Sequence, residues 1–228
     1  MPGLGPFFAL DVHPAGADPV PPWLAFAELL SADGGRLRAR AGAVREALAG
    51  RGGCPVDAVP LRVAVSVMHL GLAARLIAPA VAAAALGDLP RLGLEAGGLW
   101  WQDQLGRPVP LSVPVAGGSG PAPRVIDDLV APLTAAAGAL VPVSPRVLWG
   151  NVASAISGAA GQIAGQRPEL APAAWAAARE LAGHPSLSQE RAAPGPGFRR
   201  SSCCLIYQLS PGPARAICGD CVLGVTAP

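Results

Sequence analysis

The segment Leu61–Leu86, LRVAVSVMHLGLAARLIAPAVAAAAL, decides the fold. Its apolar residues recur at steps of three and four, as they do on one face of an α-helix. That face consists of Leu61, Val65, Met68, Leu72 and Leu76. Other apolar side chains cover most of the remaining circumference, so we expect a central helix that is buried nearly all round. Pro79 is expected to kink or end this helix.

A narrow polar line interrupts the apolar surface at Arg62, Ser66 and His69, where His69 is expected to be a satisfied core histidine. Arg75 adds a charge, which needs a partner inside an apolar helix. Because charges are costly in a lipid-facing helix, the segment predicts a buried core helix and no membrane span. Met1–Leu10 has no basic residues ahead of an apolar run and so does not resemble a secretory signal. We therefore expect a cytoplasmic protein, in which thiols stay reduced.

Outward from the central helix, apolar periodicity predicts further helices at residues 23–30, 36–48, 126–133, 145–166 and 172–182. One face of the 145–166 helix carries small residues, which permit close backbone approach: Gly150, Ser154, Ser157, Gly161 and Gly165. Residues 98–115 predict a β-hairpin around the turn Leu105-Gly106-Arg107. Its second strand contains Pro108, Pro110 and Pro114 and is expected to be an edge strand at best.

These elements predict an α+β fold that is mainly helical. A helical body would carry a small antiparallel β-hairpin or sheet, followed by a short C-terminal cysteine-rich segment. We divide the chain into an irregular Gly/Pro-rich segment at 1–22, the body at 23–191, and a linker with the cysteine-rich segment at 192–228. A loop is expected at Gly117–Pro123.

The composition excludes several classes of function. Hydrophobic residues make up 51% of the 228 residues and the net charge is only +2, which favours a folded core and predicts no nucleic-acid partner. All 17 basic residues are Arg. Without Lys, a Walker-A phosphate loop, a pyridoxal Schiff base and a kinase site are excluded. No Gly-x-Gly-x-x-Gly run follows a strand pattern, so a dinucleotide fold has no support.

Four of the five cysteines lie in the last 26 residues, as Cys203-Cys204 and, after 13 intervening residues, Cys218-Gly219-Asp220-Cys221. Two pairs that meet across one loop are what a four-thiolate metal site needs. Adjacent cysteines in an extended segment point to opposite faces, so they bind one tetrahedral ion only with backbone distortion. A two-iron cluster relaxes that demand because it offers two metals at separate positions.

Three other interpretations of the cysteines remain open at this point: two disulfides, a structural zinc site, and unliganded thiols. A reducing cytosol argues against the disulfides. A zinc site more usually has two Cys-x₂₋₄-Cys pairs. Four unliganded thiols are unexpected in a polar tail, because free Cys behaves as a buried apolar residue. Cys54 has no partner cysteine nearby in the sequence and is interpreted as a thiol that binds no metal.

The run 198–207, FRRSSCCLIY, followed by Cys218-Gly219-Asp220-Cys221-Val222-Leu223, resembles the C-terminal cluster-binding segment of FhuF-like ferric siderophore reductases. Segments of the body, HLGLAARL at 69–76, LWW at 99–101 and LWGNVA at 148–153, resemble motifs of the same family. The resemblance implies a [2Fe-2S] cluster whose ligands are Cys203, Cys204, Cys218 and Cys221. The two pairs are a few residues further apart than usual, and the extra length falls in 210–215.

The resemblance also implies a function: one-electron reduction of siderophore-bound Fe(III) to Fe(II), which releases the iron. The expected substrate is a ferric siderophore of the hydroxamate type. The chain shows no flavin or nicotinamide motif, so the electron is expected from an external ferredoxin or flavoprotein reductase. Two alternatives are kept: a [2Fe-2S] electron relay without its own siderophore site, and a structural zinc-binding interaction module.

Residues outside the cysteines are assigned more loosely. Arg75, Trp100, Trp101 and Trp149 are candidates for substrate binding, with core packing as the alternative for the tryptophans. Arg199, Arg200 and Arg215 lie near the cysteines in sequence. They would stabilise a reduced, more negative cluster, or be ordinary solvated charges. Asn151 would cap a helix end or bridge neighbouring groups by hydrogen bonds.

Overall fold

The computed structural model describes residues 3–17, 19–88, 94, 97–115, 124–190, 192–209 and 217–224. The predicted loop Gly117–Pro123, the longer turn at 210–215 and Arg215 lie outside the described residues. The description that follows covers the remainder of the chain, which includes all five cysteines.

The central helix, α2, spans Leu61–Ala85 and continues through Pro79. Its side chains are buried around most of the circumference, as the apolar pattern predicts. Helix α2 is long and apolar enough to cross a membrane, but 72% of its most apolar 18-residue stretch is buried inside the protein. The residues that would face lipid therefore face other helices.

Four more helices surround α2: α1 (Gly35–Gly52), α3 (Ala131–Leu140), α4 (Pro145–Gln166) and α5 (Ala171–Ala182). Pro145 begins α4, which suits proline because the first helical turn needs no backbone N–H. A π-helical turn at Ile126–Val130 leads into α3. Helix α2 packs most extensively against α4 and also contacts α1, α3 and α5, so it forms the centre of the core.

A small mixed sheet lies beside the helices, in the order β1-β4-β3-β2. The strands are β1 (Asp11–His13), β2 (Leu24–Ala25), β3 (Trp100–Trp101) and β4 (Leu111–Pro114). Strands β3 and β4 pair antiparallel with Trp101 opposite Leu111, which confirms the predicted hairpin. Strand β1 pairs with β4 in parallel.

Three predictions about this sheet were wrong. Strand β4 is an interior strand, because Pro108 and Pro110 precede it and Pro114 ends it, which leaves Ser112 free to pair on both sides. The predicted helix at 23–30 is β2 followed by a short 3₁₀ helix, because Leu24–Ala25 pairs with β3. Residues 1–22 are not wholly irregular, since they supply β1 and place Leu4 and Phe8 in the core.

Candidate metal centre

The four C-terminal cysteines lie in one segment, residues 198–224, which we call the ligand segment and which is described at 198–209 and 217–224. Cys204 and Cys221 are buried, and Cys203 and Cys218 are half-buried. The Cys204 and Cys218 sulfurs are 3.5 Å apart. Two thiolates on one tetrahedral metal, each about 2.3 Å from it, would be separated by about 3.8 Å. These two cysteines are therefore close to the spacing that a shared metal requires.

The structure brings one pair of sulfurs among the described cysteines, those of Cys204 and Cys218, to metal-binding distance. Among the described residues, no set of three His, Cys, Asp or Glu side chains is close enough to hold a single ion. A [2Fe-2S] cluster asks for less, because each iron takes only two protein ligands. The thiols of this segment fit that donor set.

Backbone N–H groups point at two of the sulfurs. Leu205 N donates to Cys203 Sγ at 3.3 Å, and Leu223 N donates to Cys221 Sγ at 3.3 Å. Leu205 reaches this geometry with φ of +71°, the one positive φ of a non-glycine residue in the described chain. A left-handed leucine is strained, and such strain persists where the surrounding structure enforces it. Hydrogen bonds to sulfur are one of the means by which a protein tunes an iron–sulfur cluster.

Without metal, the thiols of Cys203 and Cys218 resist ionisation. Burial raises the pKa of Cys203, and burial together with the hydrogen bond to Cys204 raises the pKa of Cys218. Metal ligands must be deprotonated, so loading this site releases protons. Cys203 and Cys218 therefore remain neutral thiols until metal arrives.

The polar line of α2 is the surface on which the ligand segment docks. Ser66 Oγ donates to the backbone oxygen of Cys204 at 2.8 Å. Arg62, one turn earlier, donates from Nη2 to Gln208 Oε1 at 3.1 Å. The line predicted from the sequence thus has a partner, which lies more than 130 residues away along the chain.

The first turns of α4 form the second docking surface. Ser202 Oγ donates to the backbone oxygen of Arg146 at 2.7 Å. A Cβ at Gly150 would lie less than 3.0 Å from Ser202 Oγ, which real Cβ atoms essentially never do. Gly150 is therefore the position where the ligand segment approaches the helix too closely for a side chain. Glu190 adds a further tie by accepting from Ser201 N at 3.0 Å.

Asn151 joins the two docking surfaces. It is fully buried, its Oδ1 accepts from Arg200 Nη2 at 2.6 Å, and its Nδ2 donates to the backbone oxygen of Ser66 at 2.9 Å. The bridging role proposed from the sequence is thus the one that Asn151 has. An uncompensated amide at this depth would be costly, so each contact of Asn151 also satisfies a buried group.

His69 ends the network and is a buried, hydrogen-bonded core histidine, as predicted. Thr134 donates its hydroxyl proton to Val130 O, so it accepts from His69 Nε2 at 2.9 Å. The other ring nitrogen faces Asn151 Nδ2 at 3.5 Å and acts as acceptor. Burial, with the Arg200 charge in support, lowers the pKa of His69 to about 3. His69 is therefore neutral at physiological pH, and both of its ring nitrogens have hydrogen-bond partners.

Arg75 is buried and occupied by backbone carbonyls. It donates to the backbone oxygens of Val109 at 2.5 Å, Ala9 at 2.9 Å and Phe7. Burial lowers its pKa to about 10, so it stays charged at neutral pH. These contacts tie the N-terminal segment to the sheet and favour a structural role over substrate binding.

The candidate tryptophans divide into two groups. Trp101 is fully buried beneath the Arg40 guanidinium, and Trp100 is stacked on His13 with ring centroids 3.9 Å apart. Both contacts favour core packing. Trp149 is half-buried, lies near the His184 ring and lines a separate small cavity beside Glu190. None of the three lies among the residues that the structure shows against the ligand segment's cysteines.

A cavity of about 630 Å³ lies beside the turn between Cys218 and Cys221. Gly219 and Asp220 line it on one side, and the small-residue face of α4 lines it on another. Trp175 and Phe198 contribute aromatic rings. The small residues that the sequence singled out on α4 therefore open a groove next to the metal ligands. Nothing in the sequence pattern indicated Trp175 or Phe198 as members of this groove.

Several residues of the site were missed from sequence, among them Ser202, Glu190 and Leu205. Their roles depend on a contact between segments that are far apart in the chain. Only Gly150 and Ser66 left a signal in the sequence, as members of a face of small residues and of a polar line.

Residues 200–223 match the family model described as the FhuF 2Fe-2S C-terminal domain. No curated protein and no solved structure matches the chain. The match confirms the resemblance in the C-terminal segment and identifies that segment as a [2Fe-2S]-binding domain.

Proposed function

We propose that this FhuF-like iron–sulfur protein is a cytoplasmic ferric siderophore reductase, which reduces chelated Fe(III) by one electron and so releases the iron. The observation that carries the proposal is the groove that adjoins the turn between Cys218 and Cys221, within the matched [2Fe-2S] domain. A relay protein needs only an exposed cluster. A reductase needs a place for a bulky chelate beside the cluster.

The chemistry requires little of the protein beyond placement. A bound [2Fe-2S] cluster supplies one electron, and the substrate iron gains it in passing from Fe(III) to Fe(II). Fe(II) has the lower charge, so hard oxygen donors hold it less tightly than Fe(III). The electron is restored from outside by a ferredoxin or a flavoprotein reductase. The task of the chain is to hold the chelate near the ligand segment for long enough.

The groove favours a ferric hydroxamate as substrate. Among the described residues that line the groove, Asp220 is the one charged side chain and none is basic. Three singly charged hydroxamates neutralise Fe(III), whereas three doubly charged catecholates leave a strongly anionic complex. An anion beside Asp220 would be repelled, while a neutral or cationic chelate with apolar edges would pack against Trp175 and Phe198.

The direct test is a single-turnover reaction. Protein purified anaerobically is analysed for iron, acid-labile sulfide and zinc, and is then reduced and mixed with a ferric hydroxamate. We expect about two irons and two sulfides per chain. We also expect the ferric hydroxamate to reoxidise the cluster, as seen in its visible spectrum. A ferrous chelator should capture the released Fe(II). A loaded, reducible protein that none of several ferric chelates reoxidises would favour the electron relay.

The groove is tested by filling it. A Cβ at Gly158 would meet nothing within 4 Å, so Gly158→Phe places a ring in the groove without a backbone clash, and Gly158→Ala is its matched control. We expect Gly158→Phe to raise KM for the ferric hydroxamate at least about tenfold, since a steric block of this size costs more than 1.4 kcal/mol of binding. Reduction of the cluster by dithionite should be unchanged. An unchanged KM would place the substrate elsewhere.

A further inference from the structure

Arg200 is a buried cation whose hydrogen-bonding capacity is only partly used. It is 1% exposed. Its Nη2 donates to Asn151 Oδ1 at 2.6 Å and to the Val147 backbone oxygen at 3.3 Å. Its Nε and Nη1 have no partner within the described residues. Of the three arginines near the cysteines, Arg200 is therefore not an ordinary solvated charge.

Within the described residues Arg200 has no carboxylate in ion-pair contact, because the nearby Glu190 carboxylate accepts from Ser201 N instead. None of the ion pairs found in the described part of the chain includes it. Taking an unpaired guanidinium out of water costs several kcal/mol, so a stable fold is expected to compensate it. The unused donors at Nε and Nη1 indicate that a further negative charge belongs nearby.

The ligand segment is the place for that charge. Arg200 lies three residues before Cys203, and its backbone N–H donates to Asp220 O at 3.1 Å, in the turn between Cys218 and Cys221. Arg200 is therefore tied to both pairs of cysteines, to the first along the chain and to the second through this hydrogen bond.

We propose that Arg200 is the residue that sets the reduction potential of the cluster, by placing one fixed positive charge with two unpartnered donor nitrogens inside the ligand segment. A cluster becomes more negative by one charge when it is reduced. A positive charge in a medium of low dielectric constant favours that form more than an exposed charge does. Asn151 is the positioning residue that anchors the guanidinium. The inference rests on the cluster site and not on siderophores as substrates.

The test is an anaerobic redox titration of the loaded, full-length protein, which needs no substrate. Arg200→Gln removes the charge, Arg200→Lys keeps it, and Arg199→Gln is the matched control. Arg199 is exposed and donates to the Cys221 backbone oxygen at 3.1 Å, so it is just as near in sequence but differs in burial. We expect a clearly lower midpoint potential for Arg200→Gln, and values close to wild type for the other two. An unchanged potential in Arg200→Gln, or an equal shift in Arg199→Gln, would overturn the proposal.

Arg200→Gln can fail by losing the cluster, so iron and sulfide are measured in every variant. In that case Asn151→Asp is the variant to titrate. It keeps Arg200 but places a carboxylate against the guanidinium, which neutralises the positive charge. We expect a lower potential again, and an unchanged one would count against the proposal. Loss of the cluster in both Arg200→Gln and Arg200→Lys would make Arg200 a docking residue, and the proposed role would be wrong. Because the readout is a potential, neither result depends on whether a ferric chelate is the substrate.

Discussion

Gly150 shows how one residue allows the ligand segment to pack closely against α4. Its missing side chain makes room for Ser202, whose hydroxyl binds the Arg146 carbonyl. We expect Gly150→Ala to destabilise the docked segment by about 1–3 kcal/mol, the usual cost of overpacking. The measurement is the rate at which the cluster is lost to a chelator, compared with Gly158→Ala on the same helix.

The double variant Gly150→Ala/Ser202→Ala separates this explanation from a general effect on α4. It removes the oxygen that the new methyl group meets, so much of the lost stability should return. If the single variant releases its cluster no faster than Gly158→Ala, the close approach has no energetic weight. Alanine should otherwise favour a helix over glycine, which makes any loss at Gly150 more informative.

Leu205 provides a second prediction at the scale of a residue. Here glycine should be more stabilising than alanine. Left-handed backbone costs an L-residue roughly 1–2 kcal/mol and costs glycine nothing. With φ at +71°, Leu205→Gly should be more stable than Leu205→Ala by about 1 kcal/mol, the reverse of the order found in helices and strands. Urea unfolding of the two variants decides it, and alanine as the more stable of the two would contradict the strained conformation.

At the scale of elements, the contact between α2 and α4 contains a neutral histidine. In the folded protein burial lowers the pKa of His69 to about 3, against an ordinary value of 6.5. The unfolded chain therefore binds the extra proton between those values, and the stabilisation present above pH 6.5 is lost as the pH falls toward 3. The slope from one proton is at most about 1.4 kcal/mol per pH unit.

The measurement is the free energy of unfolding at pH 7 and at pH 4.5, for wild type and His69→Gln. All other titrating groups are common to both proteins, so the difference isolates His69. We expect wild type to lose more stability than the variant on acidification. Equal losses would mean that His69 is protonated in the folded protein or is not buried as the contacts to Thr134 and Asn151 require.

Helix α2 and the hairpin could be predicted from the sequence because their signals are local. An apolar stripe with a period near 3.6 marks a helix whatever it packs against, and the turn at Gly106 joins neighbouring segments. Strand β1 could not be predicted, because it exists only through parallel pairing with β4, a hundred residues away. The same limit explains the error at Leu24–Ala25, where pairing with β3 overrides a helical pattern.

The site divides in the same manner. The four cysteines were predicted from their clustering and from a family resemblance, and the match at residues 200–223 confirms the cofactor. The polar line of α2 was visible, but its partner was not, since Ser66 meets Cys204 only in the folded protein. The burial of Arg200 left no trace in the sequence, because neighbouring arginines look alike until the structure separates Arg199 from Arg200.

At the scale of the whole molecule, the fold places the cysteines outside the hydrophobic core. The core cluster contains residues of the helices and the sheet, and the cysteines are not part of it. The ligand segment is attached through polar contacts at Ser66 and Asn151, through the close approach at Gly150, and through Phe198, which packs against the core. Loss of the cluster should therefore loosen the segment and leave the helical body folded.

Cys218→Ser tests this division. Because a serine hydroxyl is a poor substitute for a thiolate, the variant should lose its iron, sulfide and visible absorbance. The far-UV circular dichroism should remain within about a tenth of wild type, since the ligand segment contributes only the short 3₁₀ helix Ile206–Leu209 to the helical content of the described chain. Cys54→Ser, which changes a thiol remote from the ligand segment in sequence, is the matched control and should keep the full cluster. A collapse of the helical signal in Cys218→Ser would mean that the cluster holds the body together, and the molecule would then fold only around its metal.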